Sequence, residues 1–134
     1  MIISADEFAE LRLSADSKKY LRAANESAPD EVWFEVISRF PLLRKWVAHN
    51  KTISITILDL LSRDPDPEVS LFVAMKNKLS TDLFDRLSTD PDYSVRARVA
   101  LNRKAPVEVL CRLQSDVDPL VAQYARRQLH KYDC

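Results

Sequence analysis

Residues 95–118 read VRARVALNRKAPVEVLCRLQSDVD, and the same layout stands twice upstream, as VSLFVAMKNKLSTDLFDRLSTDPD at 69–92 and LRKWVAHNKTISITILDLLSRDPD at 43–66. The spacing is 26 residues in every column that can be compared. Val47, Val73 and Val99 are each followed by alanine, at Ala48, Ala74 and Ala100, and Leu61, Leu87 and Leu113 keep step with them. So do the aspartates of Asp64-Pro65-Asp66, Asp90-Pro91-Asp92 and Asp116-Val117-Asp118. Self-similarity at a fixed period of this size marks an array of small supersecondary units. The units run 43–68, 69–94 and 95–120, and VAQYARRQLHKY from 121 opens a fourth that stops halfway.

Inside each unit the apolar residues fall at helical spacing. Val69, Phe72 and Val73, or Val95 and Val99, mark a first helix. Ile57, Leu58 and Leu61, then Leu83, Phe84 and Leu87, then Val109, Leu110 and Leu113 mark a second. Asp66 before Pro67 and Asp118 before Pro119 read as aspartate N-caps with proline at the first helical position, where no N–H is missed. Ser80, and Pro106 at a first turn, open the second helices. Helices of about nine residues are too short to be stable alone, so they must stack side by side. The alanine at 48, 74 and 100 reads as the point where neighbouring helices approach closely.

Upstream, Asn25 to Val32 mirrors Asn102 to Val109, with Ala28-Pro29 matching Ala105-Pro106, so a degenerate unit precedes the clear ones. Ser4 with Glu7 forms a candidate capping box ahead of Phe8 and Leu11. Residues 1–42 are thus an N-terminal cap and degenerate repeat, and 121–134 a C-terminal cap made polar by Arg126, Arg127, His130 and Lys131. A single repeat domain over 1–134 is expected.

Composition supports an all-helical chain. Among 134 residues there is no glycine, where average usage would give about nine. This removes the phosphate-cradling loops that need positive φ or close backbone approach, and the tight hairpins of small β-folds. Twenty basic and twenty acidic residues balance, so no global field draws the chain to nucleic acid or an anionic membrane. No run approaches the ~18 apolar residues of a membrane span, and the start MIISADEF does not resemble a secretory signal. Cys111 and Cys134 are read as free thiols in a reducing cytoplasm, with a disulfide between them as the lesser alternative.

The pattern Val-Arg-x-x-Val-Ala-x-Asn, then Ala-Pro-x-Glu-Val-Leu-x-x-Leu, then Asp-x-Asp at 95–118 resembles the leucine-rich repeat variant family, a relative of HEAT-type α-solenoids. The resemblance covers most of 43–125 and, more loosely, 20–42. It implies a right-handed stack of short paired helices used for binding rather than chemistry. The founding type carries an iron–sulfur cluster on N-terminal cysteines; residues 1–110 contain none, so no cluster and no redox role are expected.

Candidate chemistry is sparse. No HExxH, CxxC or histidine-rich cluster suggests a metal or cofactor site, and no catalytic residues are assigned. His49 shares a column with Met75 and Leu101 and is expected to be a partly buried helix residue. Cys111 shares one with Asp59 and Asp85, an outward position. The repeated aspartates are read as caps and turn formers rather than calcium ligands.

Two sets of residues carry functional expectations. Trp46, Phe72, Arg98 and Tyr124 share one column and would form a ladder, with Arg98 able to stack between aromatic neighbours. Either they face a partner, or Trp46 and Phe72 are core and Arg98 snorkels. Trp33 beside Phe34 poses the same question, since adjacent positions cannot both face inward. The second set is basic: residues 94–134 hold eight bases and four acids, and Arg96, Arg98, Arg103, Lys104, Arg112, Arg126, Arg127 and Lys131 would form a phosphate-facing strip. The expected function is therefore a free-standing, cytoplasmic, monomeric, non-enzymatic module that binds another protein, as an adaptor or a stoichiometric inhibitor of the bacterial immunity type. The alternative is nucleic-acid binding through the basic C-terminal half.

Overall fold

A computed structural model describes residues 1–130 and 134; Lys131, Tyr132 and Asp133, part of the expected C-terminal cap, lie outside the described residues. The described residues form ten α-helices and one short 3-10 turn, with no strand. The chain divides into two compact units, 1–69 and 70–134. The first holds α1 (Ala5–Leu13), α2 (Ser17–Asn25), α3 (Asp30–Arg39), the 3-10 turn (Pro41–Leu43), α4 (Arg44–His49) and α5 (Ile55–Leu61). Helix α6 (Pro67–Ala74) runs across the division, and α7 (Thr81–Ser88), α8 (Tyr93–Leu101), α9 (Val107–Leu113) and α10 (Pro119–Leu129) complete the second. Elements begin at Pro41, Pro67, Tyr93 and Pro119, and helices at Ile55, Thr81 and Val107, each set at intervals of 26 residues.

Within residues 1–69, α1 packs on α2 and α3, α2 on α4, and α3 on α4 and α5. Within residues 70–134, α7 packs on α8 and α9, and α8 and α9 both pack on α10. Each core is made from the repeated columns. Val47, Val73 and Val99, the alanines after them, and Leu61, Leu87 and Leu113 are all buried. In the first unit Ile2, Phe8 and Val36 join them, and Phe8 meets the edge of Trp33 with ring centroids 5.1 Å apart.

The helix starts follow the expected chemistry. Asp92 and Asp118 cap α8 and α10, Ser54 and Ser80 cap α5 and α7, and Asp66 Oδ1 accepts from the Glu68 N–H at 2.9 Å. The first aspartate of each pair acts differently. Asp64, Asp90 and Asp116 each accept from the backbone N–H two residues on, at 2.9 Å, turning the chain into the cap. Pro106 stands one position outside α9, as its N-cap, in the same backbone conformation as Pro29 before α3. The box at α1 closes differently from expectation. Ser4 Oγ accepts from the Glu7 N–H at 3.0 Å, but the Glu7 carboxylate returns to the N–H of Ile3 rather than that of Ser4.

The left-handed residue that commonly satisfies a helix's last carbonyls is usually glycine, which this chain lacks, and no described residue has positive φ. Instead Ser14, Glu26, Asn50 and Asn102 leave their helices in extended backbone. Open carbonyls at two of these helix ends, and at the end of α6, are taken by side-chain amides further along the chain. Asn50 Nδ2 donates to the carbonyls of Ala23 (2.7 Å) and Glu26 (3.0 Å). Asn102 Nδ2 donates to those of Ala74 (2.9 Å) and Lys76 (2.8 Å), and Gln128 Nε2 to those of Ala100 (3.2 Å) and Asn102 (2.9 Å). Asn50 is fully buried and Asn102 nearly so. Asn25, the upstream counterpart of Asn102 in the sequence mirror, is exposed and bonds back to Leu21 in its own helix.

Candidate functional site

The first unit carries an open groove of about 200 Å³ lined by Arg12 from α1, Tyr20, Leu21 and Ala23 from α2, and Trp46 and His49 from α4. Trp46 is half-buried, and two different groups frame its ring. The Arg12 guanidinium lies over it, 3.5 Å from the ring centroid, and the His49 ring meets it edge-on at 5.7 Å. Lys45 Nζ approaches to 5.7 Å while pairing with Glu68. A cation held over indole is attracted by the negative face of the ring, by about 0.5–1 kcal/mol at exposed sites and more when desolvated. Tyr20 and Leu21 bring further exposed apolar surface to the groove.

The expected ladder is placed as follows. Trp46, Phe72, Arg98 and Tyr124 are all half-buried, so the column neither vanishes into the core nor stands clear of it. The cation over Trp46 is Arg12, which sequence spacing did not indicate. Trp33 is core: it is 1% exposed, and Phe34 is the outward member of that pair. This removes Trp33 from any surface, because the side of α3 that packs on α1 and α4 claims the larger ring. His49, expected to be partly buried, is exposed beside Trp46 because it is the last residue of α4.

The second unit has an open cleft of about 250 Å³ where α6 and α8 end, lined by Ala74, Met75, Asn77, Arg98, Leu101, Asn102 and Arg103. Its floor is the Asn102 amide with its two bonds. The basic strip around it is interrupted. Arg96 turns inward, donating from Nε and Nη2 to Asp116 at 2.9 and 3.2 Å and from Nη1 to the carbonyls of Asp90 and Pro91. Its side chain is 14% exposed and that of Asp116 9%, so Arg96 belongs to the scaffold and not to a phosphate-facing surface. Burial pushes the Asp116 carboxyl up, but the Arg96 and Asp118 N–H bonds and the Arg96 charge outweigh it and hold the group below the usual carboxylate range. Arg112 pairs with Asp85, and Arg126 donates to the Gln114 carbonyl. Arg98 is half-buried and Arg103, Lys104 and Arg127 are exposed.

The reactive groups are otherwise engaged. Cys111 and Cys134, expected as free thiols, are joined in a disulfide that ties the end of the chain to α9. Sequence spacing leaves this pairing the lesser reading because it depends on α10 bringing the chain back past α9. His130 Nδ1 lies 2.7 Å from the Arg127 carbonyl. Among the described residues no group of three or more His, Cys, Asp or Glu side chains is placed to hold a metal ion, and no helix is long and apolar enough to cross a membrane. Compared with protein-family models, curated proteins and solved structures, the chain matches none.

Proposed function

We propose that this chain is a non-enzymatic module that binds another protein, built as a right-handed α-solenoid of repeats of about 26 residues related to the leucine-rich repeat variant and HEAT-like type. The observation that carries the binding role is the Trp46 groove. Trp, Tyr and Arg are the residue types that dominate protein-binding hot spots, and here all three line one open concavity with an indole framed by a guanidinium and an imidazole. The repeated helix starts support the solenoid, as does the packing within each unit of α1 on α3, α2 on α4 and α3 on α5, and of α7 on α9 and α8 on α10. Adaptor and stoichiometric inhibitor are the roles that suit such a module, including an immunity protein that neutralises a bacterial toxin. Nucleic-acid binding is the weaker reading, since Arg96 and Arg112 already have carboxylate partners.

A cytoplasmic, monomeric protein completes the proposal. The Cys111–Cys134 bond bears on the compartment, because structural disulfides persist mainly in oxidising environments. Alkylating thiols in intact cells, then counting the blocked cysteines, tests the compartment: both blocked supports a reducing cytoplasm, and neither blocked points to an oxidising one and overturns the cytoplasmic reading. For the binding role, wild-type chain and Trp46→Ala are used as bait in native lysate, with melting temperatures measured in parallel. The proposal expects one dominant protein, retained by wild type and lost with Trp46→Ala at unchanged fold. Recovery of nucleic acid alone would defeat it.

A further inference from the structure

We infer that the cleft at the ends of α6 and α8 receives an acidic segment of the partner protein, with carboxylates on Arg98 and Arg103 and an aliphatic side chain against Met75 and Leu101. The inference rests on the protein-binding reading and adds the chemistry of what is bound. Arginine keeps its charge at every working pH and presents a planar fork that suits carboxylates. Two nearby guanidinium groups already have such a partner: Arg96 has Asp116 and Arg112 has Asp85. Among the described residues, Arg98 and Arg103 have no carboxylate within ion-pair distance, although both line the same cleft. Arg98 is moreover half-buried, so its charge is partly withdrawn from water without a counter-charge.

The walls decide which anion fits. Met75 is 47% exposed and Leu101 41% exposed, and both border the cleft. Their apolar surface gains from contact with an aliphatic chain and gains nothing from a sugar–phosphate backbone. A nucleic acid needs a row of cations matching its phosphate spacing, and the inward turn of Arg96 breaks that row. Methionine adapts its shape to the group it meets, as a binding wall requires. The excess of bases over acids in 94–134 would speed the approach of an acidic surface. Behind the cleft, the bonds of Asn102 to Ala74 and Lys76 hold its floor in place before anything binds.

The test uses the full chain, labelled with nitrogen-15, and an octapeptide alternating glutamate and leucine. A glutamine–leucine octapeptide and a short single-stranded oligonucleotide serve as the other arms. The acidic peptide is expected to shift the side-chain resonances of Arg98 and Arg103 and the amides of Met75 and Leu101, with affinity falling about tenfold or more in Arg98→Gln/Arg103→Gln. Met75→Glu, an exposed change, should weaken it by repulsion even if the double variant folds poorly. Equal binding of the glutamine peptide, preferential binding of the oligonucleotide, or shifts confined to other surfaces would overturn the inference. So would a dimer of the free chain that Arg98→Gln/Arg103→Gln abolishes, which would make the occupant a second copy. Capture of a partner from lysate that survives the double change but fails with Trp46→Ala would leave the protein-binding reading standing and this cleft assignment refuted.

Discussion

Replacing Asn102 by alanine is expected to cost far more than its small size suggests. The Asn102 amide donates to the Ala74 and Lys76 carbonyls at 2.9 and 2.8 Å and its oxygen accepts the Lys104 N–H at 2.9 Å, with the residue 8% exposed. Three bonds at a net ~1 kcal/mol each give about 3 kcal/mol, with the buried Ala74 carbonyl left without its partner. For a chain of this size that lowers the melting temperature by roughly 10 °C. Asn102→Asp is the sharper variant. It keeps the acceptor for Lys104 but turns a carboxylate oxygen toward two carbonyls, so the folded state should raise the new carboxyl above its unfolded value near ~3.9. Stability would then be lowest at neutral pH and recover as the pH falls through the raised value. Urea melts followed by circular dichroism give both numbers. A loss below about 1 kcal/mol for Asn102→Ala, no greater than for exposed Gln123→Ala, would refute the reasoning.

Further expectations follow from single features. The Ser70 hydroxyl is buried, with no hydrogen-bond partner among the described residues; Ser70→Ala should therefore stabilise the chain by about 1 kcal/mol, measured by urea melts, and a loss of that size would reveal a hidden partner. Cys134→Ser opens the link between residues 23 apart, which should cost about 3 kcal/mol, and dithiothreitol should bring wild type to the same melting point. Because the Asp116 carboxyl is held below its ordinary value, its contribution is complete above an unfolded value near ~3.9 and is lost as the pH falls through the lower folded value. Asp116→Asn should flatten that acid limb in melts taken from neutral to acidic pH; an unchanged limb would assign it elsewhere.

Much of the helical layout was legible in the residues themselves. The valine–alanine columns bury as their periodicity required, and the Asp-x-Asp pairs divide into turn former and cap because both roles are local chemistry. What escaped, or stood as the lesser reading, was whatever depends on elements meeting at a distance. Arg12 reaches Trp46 from another helix, Arg96 finds Asp116 twenty residues on, and Cys111 meets Cys134 only after α10 has run its length. The carboxamide bonds lie between these cases. Asn50, Asn102 and Gln128 share the repeat interval, but at 76 the column holds lysine and at 128 the longer glutamine, so identity alone did not expose it. The absence of glycine was the usable signal, since helix ends without a left-handed residue must find other donors.

Residue-resolved hydrogen exchange on wild type and Asn102→Ala tests most directly whether short helix pairs stand in series, each relying on its neighbour. Loss of amide protection should concentrate in α6, α8 and α10 and fade toward α1 and α2, as expected of a stack with nearest-neighbour coupling. An equal loss at every protected amide of the chain would mean one indivisible core and would contradict the serial arrangement.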